Sequence, residues 1–175
     1  AIDGALALVR EHPAKPEEIG QIRVAISERF ATILRNHRPK TGLEAKFSME
    51  FAMASALVAH RVGLPELTDG FVRRGDVQAL IERVAIDATA EYAPDNSGAA
   101  PFDQVTVTLG SGVRFPGPEV RRATGHAERP LSASELFEKF QGCLAAGGAG
   151  DHAAVLFDRL MTLEKTPARE LACLG

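Results

Sequence analysis

From residue 51 to 59 the chain reads FAMASALVA, apolar on almost every side and rich in small residues. That pattern predicts one helix over 48–61, ended by Gly63 and buried on several sides, because no polar stripe is left for solvent. Ala52, Ala54, Ser55, Ala56 and Ala59 let neighbouring backbones approach closely. The entrance differs in kind, since Glu44, Lys46 and Ser48 introduce this apolar run.

The remaining pattern is a mixture of two periods. Ile2, Leu6 and Val9 sit at helical spacing and predict a helix over 2–11 that stops at Pro13. Ile19, Ile22, Val24 and Ile26 predict a strand, the last three on one face. Residues 34–46 read as a polar loop with Pro39 and Gly42 as breakers. Residues 64–75 read as a short turn or helix. A helix follows with Asp76 as N-cap and Val77, Leu80, Ile81 and Val84 on one face. Residues 85–93 alternate and read as a strand, and 95–101 as a loop. Val105, Val107 and Leu109 alternate up to a Gly110-Ser111-Gly112 turn, and Val113 to Phe115 returns, which is a hairpin. Ser132 and Glu135 have the spacing of a capping box and open a helix. A final helix is expected over 151–163. A hairpin and no βαβ alternation predict an α+β fold, a small, largely antiparallel sheet packed with helices.

Composition narrows the function classes. The 175 residues are 45% hydrophobic and 25% charged, so one domain of ordinary size with a real core is expected over 1–175. Lys and Arg number 20 against 23 Asp and Glu, and no basic stripe appears, which speaks against nucleic-acid binding. No apolar run approaches the roughly 18 residues that span a membrane. No secretory signal pattern opens the chain, and two cysteines, Cys143 and Cys173, form no disulfide framework, so a cytoplasmic protein is expected. The chain opens on Ala1 with a helical pattern already running, and it is expected to be a piece of a longer protein.

Few positions carry candidate chemistry. The glycines of 110–117 lack the strand-loop-helix context and the lysine of a phosphate loop, and the hairpin turn explains them. The five histidines are scattered with no H-x-x-x-H pair, and two cysteines cannot hold an iron-sulfur cluster, so no metal site is expected. Lys46 and Ser48 stand at the start of the buried helix, where free N–H groups favour an anion. The simpler alternative is a Ser48 cap beside a solvated Lys46. His126 follows Gly125, which suits either a proton-transfer group in a fixed loop or an imidazole that satisfies a loop carbonyl.

Four stretches together resemble a known family. EAKFSMEFAMASALV, RVGLPELTDGFV, QVTVTLGSGVRF and GHAERPLSASELFEKFQGC occur in the order found in the C-terminal domain of the MmgE/PrpD family. The most specific part is Gly125, His126, Pro130, Leu131, Ser132, Glu135, Leu136, Lys139 and Phe140. The family includes 2-methylcitrate dehydratase, cis-aconitate decarboxylase and iminodisuccinate epimerase. The resemblance implies a lid domain that follows a large all-helical domain of the same polypeptide, with the active site between them. It implies a homodimeric lyase or isomerase acting on a small citrate-like polycarboxylate without a cofactor. It further implies that the histidine base belongs to the helical domain, that His126 is a catalytic candidate, and that Lys46, Ser48 and Phe51 are substrate-binding candidates. Phe51 stands where members such as the decarboxylase carry a tyrosine, so a step using that hydroxyl is not open to this chain. Two other classes fit an α+β domain of this kind: a non-catalytic small-molecule-binding domain and an interaction domain derived from the lid.

Overall fold

The computed structural model of the chain describes residues 1–95, 98–165 and 167. They fall into two compact units, Ala1–Ala123 and Thr124–Gly175. Cys173 lies outside the described residues, and Cys143 is an exposed free thiol. Among the described residues no helix is long and apolar enough to cross a membrane.

The first unit is built on a four-stranded sheet. Its strands are Ile19–Ser27 (β1), Val84–Thr89 (β2), Gln104–Leu109 (β3) and Arg114–Pro116 (β4), in the order β2-β1-β3-β4. The β-branched run of β1 occupies an interior position, and Ile22 lies opposite Val84 on one side and Val107 on the other. Ile22, Val24 and Ile26 are all buried, as the alternation predicts, with Val105 and Val107 beside them. The hairpin also forms: Leu109 N–H donates to the Val113 carbonyl at 2.8 Å, and Gly112 takes the left-handed φ of 89° that the turn requires.

One pairing differs from expectation. β1 and β2 run parallel, whereas β1–β3 and β3–β4 are antiparallel, so the sheet is mixed although mostly antiparallel. The chain between β1 and β2 is a helical crossover, as a parallel pair requires. It comprises Glu28–Ile33 (α2, after Ile2–Glu11, α1), Gly42–Ala45 (α3), Met49–Ala59 (α4), Asp69–Val72 (α5) and Gly75–Ile81 (α6). α2 and α3 fall within segments without a predicted helix. Ser27 caps α2, its Oγ accepting from Phe30 N–H at 3.2 Å. Thr41 and Glu44 form a capping box around α3.

Two helix boundaries move. α6 begins at Gly75 after Arg74, so Asp76 sits in the first turn, accepts from Val77 N–H at 2.9 Å and pairs with Arg74. α4 ends at Ala59 because His60 adopts left-handed φ and ψ of 55° and 26°; Gly63 is extended and ends nothing. Ser55 Oγ donates to the Arg61 carbonyl at 2.7 Å, and buried Glu66 receives Arg61 Nε at 2.9 Å and Gly63 N–H at 3.0 Å. These bonds hold the reversed chain against the helix end.

α4 is the centre of the core. It packs against α1, α6 and β2, and every residue from Met49 to Leu57 is buried. Phe51 meets Phe71 edge-on with ring centroids 6.2 Å apart.

The second unit contains Ala133–Ala146 (α7) and Ala153–Met161 (α8). Ser132 and Glu135 form the expected capping box, with Ser132 N–H donating to the Glu135 carboxylate at 2.8 Å. Phe137 and Phe140 of α7 meet Phe157 of α8, with centroids 5.1 and 5.5 Å apart.

This packing sets the cost of truncation. Phe51→Ala removes a ring that is 1% exposed and is expected to destabilise the protein by about 3–5 kcal/mol. Leu43→Ala, at a side chain that is 72% exposed, is expected to stay within about 0.5 kcal/mol. Urea unfolding of both variants checks this, and equal losses would contradict the assignment of the core.

Candidate functional site

The entrance of α4 is assembled by the segment 35–48. Arg35 and Ser48 form an antiparallel bridge, and Asn36 N–H donates to the Phe47 carbonyl at 3.0 Å. Asn36 Nδ2 donates to the Glu44 carbonyl at 2.8 Å. The segment is also tied to α5 and α6. Gln78 Nε2 donates to the Pro39 and Val72 carbonyls at 3.1 and 2.8 Å, and Arg73 Nε donates to the Lys40 carbonyl at 2.9 Å. Gly42 N–H donates to Asp69 Oδ1 at 2.9 Å. A Cβ at Gly42 would lie 2.2 Å from the Leu67 carbonyl oxygen, so only glycine allows this approach. The loop is therefore braced on both sides.

At the helix start, Ser48 is 2% exposed, and its Oγ accepts from Phe51 N–H at 3.1 Å. The same hydroxyl donates to Glu50 Oε2 at 3.3 Å. Ser48 is thus a cap, with its hydroxyl engaged inside the protein. The Phe51 ring is turned into the core and offers no surface to a ligand in this structure. Of the three expected substrate-binding residues, Lys46 alone is exposed.

Lys46 belongs to a cationic segment. Residues 35–46 carry Arg35, Arg38, Lys40 and Lys46 against a single acid, Glu44, in a chain of net charge -3. Lys40 Nζ donates to Gln78 Oε1 at 2.5 Å. Arg35, Arg38 and Lys46 are exposed and make no side-chain hydrogen bond or ion pair among the described residues. Glu44 faces its own loop, accepting Lys40 N–H at 2.7 Å and Thr41 N–H at 3.2 Å. The Lys40 N–H bond chiefly holds its carboxyl below the usual glutamate range.

A second acid was not legible as part of the site. Glu50 lies in the first turn of α4 with its side chain 8% exposed, and its Oε1 is 2.7 Å from Nδ1 of His37. The imidazole itself is 64% exposed. The sequence holds one signal for this pair, an acid set among Met49, Phe51 and Ala52 in an otherwise apolar run.

His126 lies in the second unit, in a tight turn. Gly125 has φ of 93°, Gly125 N–H donates to the Arg129 carbonyl, and Arg129 N–H returns a bond to the His126 carbonyl, each at 2.8 Å. His126 Nδ1 accepts from Glu128 N–H at 3.1 Å, so the neutral ring carries its proton on Nε2. The loop geometry expected of Gly125 is present, and the ring takes a backbone N–H rather than a carbonyl. Among the described residues no group of three His, Cys, Asp or Glu is placed to hold a metal ion.

The Glu44 brace has a pH signature. Its folded carboxyl lies below the unfolded value, so its contribution is full above the unfolded value and disappears as pH falls through the folded one. The hydrogen-exchange protection factor of the Lys40 amide is expected to drop below about pH 4, and Glu44→Gln is expected to lower it already at pH 6. Protection unchanged from pH 6 to pH 3 would show that the carboxylate is not the brace.

Comparison with known proteins gives the family of the chain. No curated protein matches the chain. The family model described as the MmgE/PrpD C-terminal domain matches residues 1–161, which takes in the α4 entrance and the His126 turn. The chain therefore belongs to the MmgE/PrpD family, as its C-terminal domain.

Proposed function

We propose that this domain is the lid of an enzyme that acts on a citrate-like polycarboxylate and moves a proton beside a carboxylate. The observation that carries the reading is the set of exposed, unpartnered cations at the α4 entrance, on a braced loop of an otherwise acidic chain. Guanidinium groups bind carboxylates through two parallel N–H bonds, and a lysine adds a point charge. Held this way, a substrate carboxylate can take up the charge that develops when the adjacent carbon loses a proton, and cations already in place stabilise that charge. The family's dehydratases, decarboxylases and epimerases share this requirement, so the reading is a lyase or isomerase.

Lys46, with Arg35 and Arg38, holds substrate carboxylates. Ser48 and Phe51 act indirectly, one as the cap and the other as the core anchor that fix the surface. His126 presents an Nε2 proton and is suited to donate it. The helical domain of the parent polypeptide supplies the opposite wall and the base that the resemblance implies.

Titration of the chain with tricarballylate at millimolar concentration, followed by amide NMR shifts, tests the binding step. Shifts are expected within residues 35–47 and are expected to shrink several-fold in Lys46→Glu and at high salt. Shifts confined to other regions, or unchanged by Lys46→Glu, would overturn the proposed site.

A further inference from the structure

Burying an ionised carboxylate is expensive unless charge and hydrogen bonds compensate it. Glu50 has three compensations. It lies in the first turn of α4, where the helix dipole favours negative charge. Ser48 Oγ donates to Oε2, and His37 Nδ1 lies 2.7 Å from Oε1. No Lys or Arg pairs with it among the described residues. Its neighbours Met49, Phe51 and Ala52 are all buried apolar residues, so packing alone would be met by a hydrocarbon at position 50.

The pair is asymmetric. The carboxylate is inside, and the imidazole is outside and 64% exposed. His37 is also held in place from its own backbone. Asn36 beside it is bonded through both its N–H and its Nδ2, and Pro39 is buried. A buried carboxylate at Nδ1 fixes both the ring orientation and the tautomer. In the neutral ring Nδ1 then carries the hydrogen, and Nε2 keeps its lone pair. Carboxylate-held imidazoles of this kind act in proton transfer because the carboxylate also stabilises the imidazolium that forms.

We infer that His37 is a proton-transfer group of this domain, acting through Nε2, with Glu50 as its positioning residue. The inference rests on the polycarboxylate reading above. It gives the α4 entrance a group that moves protons next to groups that hold carboxylates. The structure connects them: Arg35 is bridged to Ser48, Ser48 bonds Glu50, and Glu50 bonds His37. In the accepting direction, as the second base that an epimerisation needs beside the one on the helical domain, Nε2 takes the proton from the carbon beside a bound carboxylate. The electron pair of the broken C–H bond passes into that carboxylate, whose added charge faces the cations. In the donating direction, the imidazolium returns the proton from Nε2, and the ring is neutral again with Nδ1–H on Glu50. His126 contrasts with this. Its Nδ1 accepts a backbone N–H, so its neutral ring exposes a proton rather than a lone pair.

Two measurements test the assignment. Long-range proton–nitrogen NMR of the chain at neutral pH is expected to show His37 protonated on Nδ1 with a bare Nε2. Glu50→Gln is expected to shift it toward the Nε2–H form, while the shifts of α1 and β1 stay in place to show an intact fold. In the full-length enzyme with its helical domain, His37→Asn is expected to lower kcat about 10²–10⁴-fold with little change in KM. Glu50→Gln should add little when combined with His37→Asn, because the two residues act as a unit. An Nε2–H tautomer in the unmodified chain would overturn the assignment, as would full kcat in His37→Asn. If the full-length protein turns over no polycarboxylate, the functional reading falls, and the tautomer alone then decides the His37–Glu50 pair.

Discussion

The complete burial of α4 is the constraint on which the rest depends. A helix that is apolar on all sides has no face to give to water, so α1, α6 and β2 must enclose it. Its polar requirements then concentrate at the two ends, where the backbone leaves N–H and C=O groups without intrahelical partners. A specific set of residues gathers at each end. At the start these are Ser48 and Glu50 with His37, and at the finish His60 in the left-handed conformation, Ser55 on the Arg61 carbonyl, and the Arg61–Glu66 clasp. The same burial keeps Phe51 in the core.

The functional surface follows from that closure. Ser48 caps the helix and Glu50 brings a carboxylate to its positive end, so the first turn is occupied from within. A ligand anion therefore has to meet side chains rather than the helix N–H groups. Arg35, Arg38 and Lys46 are the side chains proposed for that role, on a segment tied by the Asn36, Gly42, Glu44 and Gln78 bonds. In the proposed site the cations outside hold a carboxylate, and the acid inside orients an imidazole.

Much of this fold was legible in the sequence, for reasons that differ by element. The hairpin was readable because alternation and turn glycines are local signals, as was the Ser132–Glu135 box. α4 was readable because nothing but a buried helix suits its composition. The parallel β1–β2 pair was not, since a strand alternates in the same way whichever direction its partner runs. α2 is only six residues long and leaves Phe30 and Ile33 exposed, so it has no periodic stripe to detect. The site was legible only in part. The Ser48 cap follows from its position at the start of the helix, but His37 and Glu50 are 13 residues apart and meet beside a bridge between Arg35 and Ser48 that no spacing rule reveals.

Native-state hydrogen exchange as a function of denaturant tests the central claim, that α4 is the enclosed scaffold on which the entrance loop is mounted. The amides of Ala52 to Leu57 are expected to exchange only through global unfolding, with the full denaturant dependence of the first unit. Those of the 35–47 segment are expected to exchange through smaller, local openings. If the α4 amides opened locally, together with the loop and ahead of β1, the helix would not be the scaffold and the account would be contradicted.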